Sequence, residues 1–234
     1  MEYYYTAKQY ISSSSLTIVD EEAKHLARVL RKNAGEKIFV TDGEYNVYEC
    51  EITGSSKNIV ECKIINKHFN INEPGVKINL YPALIKSPDR FEFIIEKAAE
   101  LGVFSVHPLI TEHTVNKTTE KTRRWQQIAL SAMKQSQRCY LPHVYEPSEF
   151  MEALTQSKAE NKFIADEKQN EMARVKINEV RLKPGAVDIF IGPEGGFSID
   201  EAGAALEAGF NILDLGSRKY RSETAAIFAV SKLL

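Results

Sequence analysis

The sequence predicts an α/β protein with a C-terminal parallel sheet and a small β-rich N-terminal unit. Two glycine-bearing loops, at residues 191–197 and 215–225, each follow a short apolar run and precede a segment with helical spacing. A polar stretch ending in Pro-Gly, residues 68–75, lies between these loops and an N-terminal region of alternating apolar residues. Successive strand–loop–helix units form parallel sheets. We therefore expect two domains, residues 1–70 and 71–234.

The N-terminal unit is predicted to be a small barrel with one helix. Strands are expected at residues 36–41, 45–53 and 58–66, because these β-prone segments are separated by the turn signals Asp-Gly and Gly-Ser-Ser. A short helix should follow Asp20, with its apolar residues on the inner face.

The C-terminal unit is predicted to alternate strands with helices. Strands are expected at residues 76–84, 103–106, 162–166, 187–191 and 210–215. Helices are expected after Ser87-Pro88, around Trp125–Met133, after a capping box of Ser198 and Glu201, and at residues 223–234. Gly102 and Gly209 are placed to end two of these helices.

The two glycine-bearing loops are predicted to hold a flat ligand. Neighbouring strand-to-helix loops meet at the carboxyl edge of a parallel sheet, where open α/β sheets bind ligands. Neither loop has the Gly-Lys-Ser/Thr of a triphosphate site or the G-x-G-x-x-G of a dinucleotide site. Gly192, Gly195 and Gly196 would let the main chain approach a ring such as adenine closely. Glycines that only make a tight turn are the alternative, which we prefer for Gly209.

The motifs of these loops resemble one enzyme family. Ile-Gly-Pro-Glu-Gly-Gly-Phe-Ser from Ile191, with Leu-Gly-x-Arg-x-x-Arg-x-Glu-Thr-Ala from Leu215, is similar to the C-terminal signature of RsmE-type methyltransferases. These enzymes methylate uridine N3 in 16S ribosomal RNA and belong to the SPOUT superfamily. Blocks that begin at His25, Glu96 and Gln135 match the family in the same order. The sequence departs from the family at Lys219-Tyr220, where an Ile-Leu pair is common.

The resemblance implies a trefoil-knotted SPOUT-type domain preceded by a PUA-like RNA-binding barrel. It also implies a homodimer with its active site at the subunit interface, S-adenosylmethionine as the methyl donor, and 16S rRNA of the small ribosomal subunit as the partner. The residues expected to bind the cofactor are Leu84, Ile191, Gly192, Glu194, Gly195, Gly196, Leu215, Gly216, Lys219, Tyr220, Arg221, Thr224 and Ala225.

Transfer to uridine N3 requires that the proton on this nitrogen be removed. Either a general base takes it, or cations stabilise the anion that its loss leaves. Arg138 and Arg221 are the predicted cations, and Glu223 or Glu194 is the candidate base. Each carboxylate could instead anchor a loop, which we prefer for Glu194. Because N3 lies on the Watson–Crick edge, the uridine must be unpaired or flipped out.

The composition is ordinary for a globular enzyme, with 43% apolar and 26% charged residues. The net charge is −2, but residues 71–140 carry ten Lys and Arg against seven Asp and Glu, so cations are locally concentrated for RNA. Solvated side chains or helix-end cations are the alternative. RNA contacts are predicted for Arg28, Arg31, Lys32, Arg124, Gln135, Ser136 and Arg138, the last three at the C-terminal end of one helix.

The remaining sequence features favour a cytoplasmic enzyme without metal or membrane attachment. The three cysteines lack metal-ligand spacing, no apolar run reaches membrane-spanning length, and the N-terminus lacks signal-peptide character. Two other functions stay open. One is a non-catalytic RNA-binding or ribosome-assembly factor, for which the Lys219-Tyr220 departure is the support. The other is a SPOUT methyltransferase that acts on another RNA or nucleoside atom.

Overall fold

The computed structural model of the 234-residue chain describes residues 3–30, 32–56, 58–117, 121–166 and 174–234, with the main chain alone at residues 28 and 29. The chain divides into two compact units. Unit 1 consists of Met1–Glu73 with Met133–Leu141, and unit 2 of Pro74–Ala132 with Pro142–Leu234. The division falls inside one helix, whose last turn belongs to unit 1.

Unit 1 is built on an open sheet. Its elements are β1 (Tyr4–Tyr5), β2 (Ser15–Val19), α1 (Asp20–Lys24), a π-helical segment (His25–Val29), β3 (Lys37–Thr41), β4 (Asn46–Ser55) and β5 (Ile59–Phe69), with a 3-10 turn at Lys8–Tyr10. Among the described residues, five strands pair in the order β1-β3-β4-β5-β2. The β1–β3 pair is parallel and the other pairs are antiparallel. The edges of this sheet are β1 and β2.

The turn between β3 and β4 shows why the predicted hairpin forms. Asp42 Oδ1 accepts hydrogen bonds from the main-chain N–H groups of Glu44, at 2.8 Å, and Asn46, at 3.3 Å. Gly43 and Tyr45 have φ angles of +72° and +71°, so the loop needs left-handed conformations at two positions. The inward side chains of the sheet form a core with α1 and the π-helical segment, and Leu16, Ile18, Leu26 and Val40 are among its members.

Unit 2 alternates strands and helices, as predicted. Its strands are β6 (Ile78–Pro82), β7 (Ser105–Val106), β8 (Leu109–Ile110), β9 (His143–Val144), β10 (Ser148–Glu149), β11 (Asn161–Ala165), β12 (Arg174–Lys176), β13 (Val187–Ile191) and β14 (Asn211–Asp214). Its helices are α2 (Pro88–Leu101), α3 (Thr122–Gln135), α4 (Phe150–Gln156), α5 (Ile199–Glu207) and α6 (Ser222–Leu233), with a 3-10 turn at Ile177–Glu179.

The main sheet of unit 2 is parallel throughout. Among the described residues, seven strands pair in the order β12-β14-β11-β13-β6-β7-β9. Strand β13 therefore lies between β6 and β11, which both precede it in the chain, and β14 lies between β11 and β12. Helix α6 packs on α2, β6 and β13. All five residues of β13 are buried, so the strand is the centre of the unit.

Local sequence signals explain where helix α2 begins and ends. Ser87 is its N-cap residue and Pro88 its first residue, a position where proline costs no hydrogen bond. Phe91, Ile94 and Ile95 face the core. Gly102 ends the helix with a φ of +109°, and a Cβ there would lie 2.4 Å from Cγ of Pro74. Both the backbone angle and the space therefore require glycine at this position.

The structure differs from the sequence prediction in several details. Helix α3 ends at Gln135 and Gln137 takes a φ of +58°, so Ser136 and Arg138 follow the helix rather than lie on it. Strand β2 begins at the last residue of a serine run, where we predicted no strand. Helix α4 and the short strands β1, β8, β9, β10 and β12 were also not predicted. The predicted strand 187–191 and the Ser198–Glu201 capping box are both confirmed.

Candidate functional site

A cavity of about 440 Å³ lies at the carboxyl edge of the sheet in unit 2. It is lined by the ends of β11, β13 and β14, by the start of β12, and by the loops that follow β13 and β14. The lining residues are Ala165, Asp166, Arg174, Ile191, Gly192, Pro193, Glu194, Gly196, Leu213, Asp214, Leu215, Gly216, Arg218, Lys219, Tyr220, Arg221, Ser222 and Ala225. This volume is in the range of pockets that enclose small organic ligands, about 300–1,000 Å³.

The first wall is the loop between β13 and α5. The N–H of Gly196 donates to the carbonyl of Pro193 at 2.9 Å, and Gly196 has a φ of +70°, so the loop closes as a tight turn. A Cβ on Gly192 would lie 3.2 Å from Cα of Gly196, closer than ordinary van der Waals contact. Ser198 and Glu201 then start α5 with a reciprocal capping box. The glycines therefore serve the turn itself as well as the cavity beside it.

The second wall is the loop between β14 and α6. Asp214 Oδ1 accepts a hydrogen bond from the N–H of Gly216 at 2.8 Å, which fixes the start of this loop. Gly216 has a φ of +110°, and a Cβ there would contact nothing within 4 Å. The ring of Tyr220 packs against that of Phe228 in α6, with centroids 5.4 Å apart. The guanidinium carbon of Arg218 lies over the Tyr220 ring, 5.9 Å from its centroid. The loop thus lines the cavity with Tyr220 and with the cationic residues Arg218, Lys219 and Arg221.

A third segment of unit 2 supports the first wall from outside. His113 Nδ1 donates to the carbonyl of Gly196 at 2.9 Å, and a Cβ on Gly195 would lie only 2.9 Å from Cβ of His113. The neighbouring N–H of Glu112 donates to Glu201 Oε1 at 2.8 Å. Gly195 is therefore needed for the close approach of this segment rather than for the cavity.

Most residues that we predicted to bind the cofactor lie together around the cavity. Ten of the thirteen line it, namely Ile191, Gly192, Glu194, Gly196, Leu215, Gly216, Lys219, Tyr220, Arg221 and Ala225. The lining does not include Leu84, Gly195 and Thr224. Leu84 is buried just after β6, and its N–H donates to the carbonyl of Leu109. Thr224 is exposed in the first turn of α6.

The predicted catalytic residues have three different environments. Arg221 is exposed and lines the cavity. Glu223 is buried, and its carboxylate accepts hydrogen bonds from Arg90 at 3.3 and 3.4 Å. Arg138 belongs to unit 1, where it is buried and forms an ion pair with Glu73 at 2.7 Å. The structure therefore places Arg221 at the cavity. Glu223, two residues further along the chain, and Arg138 are not among the lining residues.

The residues predicted to contact RNA are also dispersed. Arg31 and the side chain of Arg28 lie outside the described residues. Lys32 is half-buried beside Glu36, Gln135 is exposed at the end of α3, and Ser136 donates to the carbonyl of Met133. Arg124 is exposed and forms two 2.7 Å hydrogen bonds with Glu92, which raise the pKa of its guanidinium.

Sequence reasoning missed several residues of the site. Asp166, Leu213 and Asp214 come at the ends of predicted strands, so the rule that ligands bind at the carboxyl edge could have found them. Arg90 was missed because no sequence pattern links it to a ligand site. It lies in the first turn of a helix, where the helix dipole disfavours a cation. His113 was missed because only the fold brings it to Gly195.

Two family models match the chain in the order of its units. The model of an RNA methyltransferase PUA domain matches residues 18–65, and that of an RNA methyltransferase domain matches residues 72–234. The second range contains the whole lining of the cavity. In the part of the chain that the structure describes, no helix is long and apolar enough to cross a membrane.

Named relatives are similar over most of the chain. Ribosomal RNA small subunit methyltransferase E from Mesomycoplasma hyopneumoniae is 37% identical over 167 residues, which are 70% of this chain and 71% of the relative. The crystal structure of the enzyme of that name from Neisseria gonorrhoeae, bound to S-adenosylmethionine, has a TM-score of 0.89 at 31% identity and covers 100% and 96% of the two chains. A methyltransferase from Legionella pneumophila, in complex with the same cofactor, has a TM-score of 0.87 at 30% identity over the same shares.

The fold and the cavity define the class of protein, which is a SPOUT-type, S-adenosylmethionine-dependent RNA methyltransferase with a PUA-like domain. Within that class, the chain belongs to the ribosomal RNA small subunit methyltransferase E family. The fold class and the family predicted from the sequence are both confirmed.

Proposed function

We propose that this protein transfers a methyl group from S-adenosylmethionine to N3 of a uridine in 16S rRNA of the small ribosomal subunit. The observation that carries the proposal is the cavity between the loops after β13 and β14, in a chain that belongs to an rRNA methyltransferase family. The target atom comes from the family resemblance.

The residues around the cavity fit S-adenosylmethionine. Gly192, Gly196 and Gly216 bring main chain without side chains to the cavity, beside apolar surface from Ile191 and Leu215, a combination that suits an adenine ring. When bound, this cofactor supplies an electrophilic methyl group on a sulfonium. We propose that these residues hold it, with Glu194, Lys219, Tyr220, Arg221 and Ala225. Leu84, Gly195 and Thr224 are proposed to act from just outside the lining.

The chain must also lower the cost of removing the N3 proton. Arg221 is exposed at the cavity, so its guanidinium can hold a uracil oxygen or a phosphate and stabilise the anion that forms. Arg138 is proposed to act on the same RNA. Glu223 was predicted to be the base, but its hydrogen bonds from Arg90 favour the anchoring role that was its alternative. The reacting uridine has to be flipped out of any duplex.

Two domains are proposed to divide the work, with bounds that differ from those of the compact units because residues 71–73 and 133–141 belong to unit 1. Residues 1–70 form a PUA-like domain that binds RNA, and residues 71–234 form the methyltransferase domain. The proposed RNA contacts are Arg28, Arg31, Lys32, Arg124, Gln135, Ser136 and Arg138. We further propose that the enzyme works as a cytoplasmic homodimer. Light scattering coupled to size-exclusion chromatography tests the oligomer, since a mass close to twice 26.4 kDa is expected and a monomer mass contradicts it.

The decisive experiment is methyl transfer from labelled S-adenosylmethionine to small ribosomal subunits that lack their modifications, followed by nucleoside analysis. We expect 3-methyluridine as the labelled product. Label on another nucleoside would overturn the target and favour a SPOUT enzyme with a different acceptor atom. No label, together with no cofactor binding, would favour the non-catalytic RNA-binding or ribosome-assembly factor.

A further inference from the structure

One guanidinium outside the lining of the cavity joins its two walls. Arg90 lies in the first turn of α2. Its Nη2 is 2.7 Å from Oε1 of Glu194, which belongs to the loop after β13. Its Nη1 is 3.3 and 3.4 Å from the two carboxylate oxygens of Glu223, which lies in the first turn of α6 directly after the second loop. A single cation therefore holds one carboxylate from each wall.

These ion pairs are partly shielded from solvent. The side chains of Arg90 and Glu194 are each 31% exposed, and that of Glu223 is 11% exposed. The N–H of Lys86 also donates to the Glu194 carboxylate, at 3.2 and 3.4 Å. Partly buried pairs are screened less than surface pairs, and charged hydrogen bonds are stronger than neutral ones. The three side chains are thus suited to fixing the distance between the two loops.

The three charges stabilise one another, although the two carboxylates leave the group with a net charge of −1. Arg90 lies near the N-terminus of α2, where the helix dipole disfavours a cation, and the two carboxylates offset that cost. Glu194 and Glu223 would repel each other if the guanidinium were absent. Loss of Arg90 therefore removes an attraction from each wall and leaves a repulsion between the walls.

We propose that Arg90 is a positioning residue that sets the separation of the two loops and so prepares the cavity for S-adenosylmethionine. The inference rests on the proposed function, because it assumes that this cavity holds the cofactor. Arg90 itself is not among the lining residues, so it acts through Glu194 and Glu223. When a binding-competent arrangement is less populated, the apparent dissociation constant rises in inverse proportion to its population.

The proposal assigns the same role to the two carboxylates. Glu223 and Glu194 hold Arg90, and neither takes the N3 proton. Glu223→Gln keeps an oxygen that can accept from Arg90 but cannot serve as a base at neutral pH. We expect this variant to retain the pH dependence of the wild-type transfer rate. A loss of about 100-fold in kcat, typical when a general base is removed, would show that Glu223 is the base.

The experiment is calorimetric titration of S-adenosylmethionine into the full chain and its variants. Arg90→Met should raise the dissociation constant about tenfold, and Arg90→Lys about threefold, because lysine is a point charge that lacks the planar fork able to meet both carboxylates. Lys176→Met is the matched control, since it removes an exposed ion pair with Glu179 in the same unit. Its affinity should equal that of the wild type.

A split between kinetic constants separates positioning from general damage. With saturating cofactor, Arg90→Met should keep kcat within about twofold of the wild type, because filling the cavity restores the arrangement. An unchanged dissociation constant in Arg90→Met, with tight binding by the wild type, would overturn the role of Arg90 alone. Failure of the wild type to bind would overturn the proposed function and this inference together. If Arg90→Met does not fold, Arg90→Lys decides by the same criterion.

Discussion

Arg138 and Glu73 form a buried ion pair in which one carboxylate oxygen accepts two hydrogen bonds. Oε2 of Glu73 lies 3.1 Å from Nε and 2.7 Å from Nη2 of Arg138. The other oxygen accepts the main-chain N–H groups of Cys139, at 2.8 Å, and Tyr140, at 2.9 Å. The pair thereby ties the end of the N-terminal stretch of unit 1 to the segment that follows α3.

Arg138→Ala should lower the free energy of unfolding by roughly 3 kcal/mol, because it leaves the Glu73 carboxylate buried without its cation. Urea unfolding measures the change. Lys37→Met is the control, since it removes the exposed pair with Glu49 in the same unit and should cost less than about 1 kcal/mol. Equal losses in the two variants would contradict the prediction. The catalytic role of Arg138 stays a prediction, which requires this variant to lose methyl transfer far more than cofactor affinity.

A glycine-to-alanine change should weaken cofactor binding at Gly195 but raise stability at Gly203. Gly195→Ala places a Cβ 2.9 Å from Cβ of His113, so the loop must move, and we expect weaker cofactor binding. Gly203→Ala lies inside α5 with nothing within 4 Å of the new Cβ, and should raise stability by about 1 kcal/mol through helix propensity. Calorimetric titration and thermal unfolding of both variants test this. A loss of stability in Gly203→Ala would contradict the prediction.

The three cysteines should react slowly with thiol reagents in the folded protein. All three are free and buried. Burial raises the pKa of Cys50 and Cys62 to about 12, and that of Cys139 to about 11, so at pH 8 only about one in 10³–10⁴ of these thiols is ionised. With Ellman's reagent, we expect three thiols per chain in denaturant and almost none within minutes under native conditions. One rapidly reacting native thiol would contradict the burial of that cysteine.

His107 should make unit 2 less stable in mild acid. Its ring is stacked between Tyr81 and Tyr145, at centroid distances of 4.4 and 4.2 Å. Ser105 directs its hydroxyl hydrogen to Asn79, so Nε2 of His107, 2.8 Å away, donates to Ser105. Burial and the nearby His143 lower the pKa of His107 to about 4. The neutral ring is therefore the form that fits this environment.

Protonation of His107 destabilises the folded state, because the unfolded chain binds the proton more tightly. Between the folded pKa of about 4 and the ordinary value of 6.5, the unfolded chain binds the extra proton and the folded chain does not. The stability that His107 contributes is complete above pH 6.5 and is lost as the pH falls towards 4, by an amount on the order of 1–3 kcal/mol. Urea unfolding at pH 7 and pH 5 should show a smaller difference for His107→Phe than for the wild type. Equal differences would mean that His107 does not carry the effect.

Local patterns predicted the elements of unit 2 better than their arrangement. The bounds of β13 are those expected, because five apolar or buried residues stand between Pro-Gly and Gly-Pro. The order of the strands was not available from such patterns, since β13 pairs with β6 and β11 and neither adjoins it in sequence. Strand β2 was missed because only Leu16 and Ile18 of its five residues are buried, too short an alternation beside a serine run.

The candidate site was predicted in the same uneven way. Gly192, Gly196 and Gly216 carry their own signal, since each has a local backbone reason to be there. Residues that act across the fold carry none. Arg90 and His113 are recognisable only once α2 and the segment around residue 113 lie beside the loops. Glu223 was assigned to chemistry because its ion pair with Arg90 is invisible in the sequence.

The late position of β13, β14 and α6 in the chain has a consequence for biosynthesis. Both walls of the cavity come from residues after Ile191, and the strand that separates β6 from β11 enters a sheet whose neighbours have already been made. A nascent chain that stalls before this point has most of its mass but no cofactor pocket. The growing polypeptide therefore cannot complete the cavity until the loops that follow β13 and β14 have been synthesised.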